Sequence, residues 1–155
     1  RNYGGAIDFL QEAMLVNSCV NVTNPEVALA MYADRSRFKL FMADTGLLVS
    51  SILDNGGDTD QMYRSLIIDK LGINQGMIFE NLVAQMLRAH GHELYYHAFE
   101  HCPEGNAVSK QYEVDFLTVR DRRLCPIEVK SSGYKSHKSF DYFRNNRYAI
   151  CFLWL

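Results

Sequence analysis

The chemistry-bearing residues of this chain cluster between positions 111 and 132. Residues 111–119 read QYEVDFLTV and residues 124–132 read LCPIEVKSS. The first run is rich in β-branched and aromatic residues, the second opens on the apolar stretch LCPI, and each predicts a strand. Glu113 and Asp115 sit inside the first, Glu128 and Lys130 inside the second. Burying an unpaired charge is costly, so a carboxylate in an apolar strand implies a partner. Side chains two positions apart on a strand share a face. Glu128 and Lys130 are therefore expected to point the same way. Glu113, Asp115 and Leu117 are expected on one face, with Val114, Phe116 and Val119 turned elsewhere. If the two acid-bearing faces meet, Asp115, Glu128 and Lys130 converge, and Glu80 can join them from a preceding helix.

Carboxylates gathered at one point repel each other unless a cation lies among them. A hard divalent ion, Mg2+ or Mn2+, prefers such oxygen ligands, and the backbone carbonyl of Val129 can add one more. Such an ion can bind a phosphate oxygen and lower the pKa of a bound water. A lysine beside it can stabilise the negative charge that develops during phosphodiester hydrolysis. Periodicity alone leaves a second reading open. Glu128 and Lys130 can form a charge pair on a solvated sheet face, with Asp115 paired to an arginine.

These side chains need elements to position them. An apolar stripe at Ile7, Leu10 and Met14 predicts a helix over residues 6–16. A strand is expected to begin at residues 19–22. Pro25 suits a helix start over residues 26–31, and residues 38–42 form a further strand. Asp44, Thr45 and Gly46 break that strand and lead into a short helix. Residues 54–58 are a loop by composition. Residues 75–90 carry the clearest helical pattern, ended by Gly91. Its wide apolar arc draws on Ile78, Leu82, Phe79, Val83 and Met86, and implies packing against a sheet. Residues 93–99 are a strand. The four residues 120–123 link the two acid-bearing strands as an antiparallel hairpin. A helix at 139–144 and an apolar strand at 148–154 follow. The order is that of a mixed α/β layer with helices covering a sheet.

A chain of 155 residues, 48% of them hydrophobic, is enough for one cored domain, or one with part of another. The net charge of -2 supplies no whole-molecule attraction for nucleic acid or an anionic membrane. Basic groups outnumber acidic ones over residues 101–155 and the reverse holds over residues 1–100, so a local phosphate-binding face is permitted. Cys19, Cys102, Cys125 and Cys151 have no CxxC spacing and read as mostly buried thiols of a reducing, cytoplasmic compartment. His90, His92, His97 and His101 crowd in sequence but divide among a helix end, a turn and a strand, which argues against zinc. Lys135, His137 and Lys138, just past the second acid-bearing strand, are candidate contacts to a nucleic-acid backbone. No membrane span is visible, and the apolar end at residues 152–155 suggests an incomplete C-terminus.

The two strands together resemble the PD-(D/E)xK nuclease superfamily. More narrowly, residues 41–48 (FMADTGLL), residues 76–83 (GMIFENLV) and both strands resemble the DUF4143-like C-terminal domain found behind AAA-type ATPase modules of bacteria and archaea. That resemblance covers residues 38–132. It implies a restriction-endonuclease-like mixed sheet flanked by helices over residues 44–155, preceded by a partial winged-helix-like segment at residues 1–43. It implies Glu80 as the helix acid, Asp115 as the central metal ligand, Glu128 as the second ligand and Lys130 as the catalytic lysine. Mg2+ or Mn2+ would be the cofactor, bound by Asp115, Glu128 and Glu80. DNA would be the substrate, and an N-terminal ATPase module binding ATP the partner in a longer parent protein, since no GxxxxGK[ST] occurs here. The alternative is a catalytically inactive nucleic-acid- or protein-binding module of the same ATPase.

Overall fold

A computed structural model describes residues 4–53, 75–102, 109–130 and 138–145. Its elements in chain order are α1 (Gly4–Glu12), β1 (Val16–Val22), a 3-10 turn (Leu29–Tyr32), β2 (Ala33–Met42), α2 (Thr45–Leu53), α3 (Gln75–Ala89), β3 (Leu94–His101), β4 (Lys110–Arg120), β5 (Arg123–Ile127) and α4 (Lys138–Asn145). The strands form one five-stranded sheet in the order β2-β1-β3-β4-β5. β1 runs parallel to β3, and the other neighbours are antiparallel. The sheet is mixed and flanked by helices. It also draws strands from both sides of the expected boundary at residues 43/44. The segments at 54–58 and 148–154 lie outside the described residues.

Strand alternation separates two apolar clusters, one on each face. Cys19, Phe41, Leu94, Tyr96, Phe116 and Ile127 pack on one face with Ala84 of α3. Val22, Val114, Leu117 and Leu124 pack on the other with Leu29 and with Phe143 of α4. α3 lies on the sheet through a narrower and more polar stripe than its apolar pattern predicts. Asn81 and Ala84 are its buried residues, flanked by the half-buried Val83 and Leu87. Phe79, Leu82 and Met86 keep 40% or more of their surface exposed. The small Ala84 lets the helix approach the strands closely. Asn81 is buried because the chain beneath it needs hydrogen bonds. Its Oδ1 accepts from the Met42 N–H at 2.7 Å, and its Nδ2 donates to the Met42 carbonyl at 3.1 Å and to Thr45 Oγ1 at 3.0 Å. Gln85 adds to this clamp by accepting from the Thr45 N–H and hydroxyl. Asp44 then caps α2, its Oδ1 accepting from the Leu47 N–H at 2.8 Å.

The turns obey local chemistry. α3 ends in a Schellman motif: Gly91 has φ 81°, its N–H donates to Arg88, and the His92 N–H donates to Leu87. The β4–β5 hairpin closes on Asp121 and Arg122, with φ of 52° and 60°. Two left-handed central residues make the primed turn that matches strand twist. Several expected elements differ. α1 stops at Glu12 and fully buries no residue; Ile7 and Leu10 of the expected stripe are half-buried, and Met14 lies beyond the helix, exposed. The helix expected at residues 26–31 is only the 3-10 turn. β5 ends at Ile127 rather than Ser132, for a reason that lies in the site.

Candidate functional site

The site forms on the face of the sheet that α3 covers, and a β-bulge aims its central acid. Tyr95 of β3 pairs with Leu117 of β4, yet His97 pairs with Val114. Two steps along β3 thus match three along β4, so Asp115 and Phe116 together oppose Tyr96. A bulge of this kind re-aims a side chain and breaks alternation. Asp115 and Phe116 end up on the α3 face, and Leu117 moves to the other. The simple alternation that paired Leu117 with Asp115 and turned Phe116 away is therefore corrected at this point.

Asp115 is half-buried. Its Oδ2 accepts from the Val129 N–H at 2.7 Å. This bond replaces the backbone ladder beyond the Phe116–Ile127 pair, which is why β5 ends there. Glu128 and Lys130 nevertheless lie together, with Lys130 Nζ 2.5 Å from Glu128 Oε1. The Glu128 side chain is 11% exposed and that of Lys130 43%. The pair is thus not a solvated surface bridge at its acidic end. Glu128 Oε2 is buried and accepts no hydrogen bond from any described residue. Among the described residues no arginine pairs with Asp115, whose hydrogen bond comes instead from the backbone.

Lys39 completes the group, and no expectation from the sequence included it. It stands on β2, with Cys19 of β1 as its register partner. Its Nζ passes 5.1 Å from the centre of the Tyr96 ring and ion-pairs with Glu113 on β4. Glu80 Oε2 of α3 lies 4.0 Å from the same nitrogen. A signal was present: Lys39 interrupts the apolar run at residues 38–42, just as the acids interrupt theirs. Glu113 lies on the face that alternation predicts and takes the ammonium group of Lys39.

The electrostatics follow from burial and crowding. Burial is the main force raising the Asp115 pKa to about 7, with Glu128 and Glu80 adding and the Val129 N–H and Lys39 opposing. Burial also raises Glu80, against the pull of Lys39. For Lys39 burial acts downward, but the bond to Glu113 and the charges of Glu113, Glu80 and Asp115 outweigh it and the pKa is raised. Lys130 behaves alike, with Glu128 the main partner. Cys19, beneath the cluster, is raised to about 12, chiefly by burial.

The arrangement brings Asp115, Glu128 and Lys130 together and sets Glu80 close enough to feel the charges of Glu128 and Lys130. Among the described residues no group of three or more His, Cys, Asp or Glu side chains is arranged to hold a metal ion. Glu80 and Glu113 turn toward Lys39, while one oxygen each of Glu128 and Asp115 is taken by Lys130 and by Val129. His97 is buried, its Nδ1 2.6 Å from the Val22 carbonyl, and so ties β3 to β1. Lys138 begins α4, whereas Lys135 and His137 lie outside the described residues.

Residues 75–151 match the family model described as a domain of unknown function, DUF4143. The match takes in α3, the hairpin and α4, and so Glu80, Asp115, Glu128 and Lys130, but not Lys39. No curated protein and no solved structure matches the chain. No helix among the described residues is long and apolar enough to cross a membrane.

Proposed function

We propose that this site binds a divalent cation, Mg2+ or Mn2+, and hydrolyses phosphodiesters, with DNA as the substrate class. One observation carries the reading: a buried Glu128 oxygen without a hydrogen-bond donor among the described residues lies next to a half-buried Asp115 whose ionisation its surroundings oppose. A carboxylate pair in that condition fits a hard cation, which supplies the charge that burial withholds. Asp115 and Glu128 would hold the ion, and Glu80 would reach it by leaving Lys39. When bound, such an ion polarises a phosphate oxygen and acidifies water. The chain's own contribution is positional. The Val129 N–H fixes one oxygen of Asp115. Lys130 aligns Glu128 and holds a positive charge at the solvent-facing edge, where negative charge on a phosphate would develop. The resemblance to PD-(D/E)xK nucleases and to domains carried by AAA-type ATPases supports the same assignment of roles, and it suggests a larger protein in which ATP turnover accompanies this domain.

A second reading has its own support. Lys39 already ion-pairs with both Glu80 and Glu113, which suits a cluster that is no longer catalytic in a module that binds nucleic acid or a protein. Calorimetric titration with Mn2+ and cleavage of labelled oligonucleotides in Mg2+ separate the two. Binding and cleavage, both lost in Asp115→Ala and cleavage alone lost in Lys130→Ala, are the expected result. Absence of any ion binding by the unaltered protein refutes the hydrolytic reading. Salt-sensitive DNA binding without cleavage favours the second.

A further inference from the structure

Lys39 joins partners that lie on other elements of the sheet and on α3. It starts on β2, at the edge of the sheet, and ends on Glu113 of β4, with β1 and β3 between. The register partner of Lys39 on β1, Cys19, and that of Glu113 on β3, Ala98, are both small. The stem runs past the Tyr96 ring, which favours a cation over its face. Holding a lysine extended costs side-chain entropy, so the destination must reward it. Four carboxylates (Glu80, Glu113, Asp115 and Glu128) stand against two ammonium groups. The remaining formal charge is that of one divalent cation with its sign reversed.

We propose that Lys39 is the built-in counter-cation of this cluster, competing with a divalent ion for the carboxylates and thereby setting the affinity of the site. The inference rests on the metal-binding reading above and adds to it a residue outside the family match. With the ion absent, Lys39 holds Glu80 and Glu113. With the ion present, Glu80 turns from Lys39 toward Asp115 and Glu128.

The test uses the full chain, treated with EDTA and then titrated with Mn2+ by calorimetry. Lys39→Met keeps the length of the side chain and removes its charge, while Lys39→Arg keeps the charge. Removing one elementary charge a few ångströms from a divalent ion in a half-solvated site should tighten binding about tenfold. Lys39→Arg should stay within about twofold of the unaltered protein. Equal or weaker binding by Lys39→Met, where the unaltered protein binds, overturns this proposal and leaves the metal-binding reading intact. Binding by Lys39→Met alone supports the competition and overturns the metal-binding reading for the natural chain. Binding by neither overturns both. Should Lys39→Met fail to fold, the lysine side-chain NMR signals of the unaltered protein decide: the Lys39 signal should shift on saturation with Mg2+, and an unmoved Lys39 signal overturns the proposal.

Discussion

Replacing Asp115 with Asn should stabilise the metal-free protein at alkaline pH while abolishing its ion binding. In an unfolded chain the carboxyl loses its proton near 3.8, and in the folded protein near 7. Between these values the folded state holds more protons than the unfolded one, so stability falls as pH rises through the window and levels off above it. The full gap corresponds to about 4 kcal/mol. Solvent reaches the open side of the site through Glu80 and Lys130, so about 2–3 kcal/mol is the expected share. Asn retains a carbonyl oxygen for the Val129 N–H, and its amide can donate to the bare Glu128 Oε2. Urea unfolding of both proteins in EDTA at pH 4 and pH 8 gives the difference directly. Asp115→Asn should exceed the unaltered protein by that margin at pH 8, and the advantage should shrink greatly at pH 4. A difference independent of pH, or a variant less stable at pH 8, would refute the argument that burial and Glu128 oppose ionisation of Asp115.

Three further outcomes follow from single features. Met14 closes a Schellman motif at the end of α1 with φ 56° and is 82% exposed, so Met14→Gly should stabilise by about 1 kcal/mol, read as a higher melting temperature. Asn81→Ala should cost about 2–4 kcal/mol in chemical denaturation, because it strips hydrogen bonds from Met42 and Thr45 in a partly buried clamp. Cys19 should resist a thiol reagent at pH 8 until the protein is unfolded, while the exposed Cys102 labels readily; mass mapping of the modified cysteines checks both.

Much of this molecule was legible in local sequence. The alternation and composition of residues 111–119, the signals around Asp44–Gly46 and the pattern ending at Gly91 place β4, the start of α2 and the end of α3. Each of these depends on forces acting within a few residues: strand period, capping and left-handed backbone. Charges embedded in apolar runs likewise identified Asp115, Glu128 and Lys130 as a set. The same logic, applied to the run at residues 38–42, would have found Lys39.

What sequence left open required the third dimension. The face of α3 that meets the sheet is set by how closely Ala84 can approach and by the backbone groups that Asn81 must satisfy, not by the most hydrophobic residues of the helix. The bulge opposite Tyr96 is a register mismatch between two strands, which neither strand records alone. It aims Asp115 at the Val129 N–H and ends β5 at Ile127. The meeting of Lys39 with Glu80 and Glu113 joins β2, α3 and β4 across the sheet. Sequence determined which side chains carry charge into the core. Tertiary structure decided which of them answer one another, because the strength of each pairing depends on distance and burial that only the assembled sheet supplies.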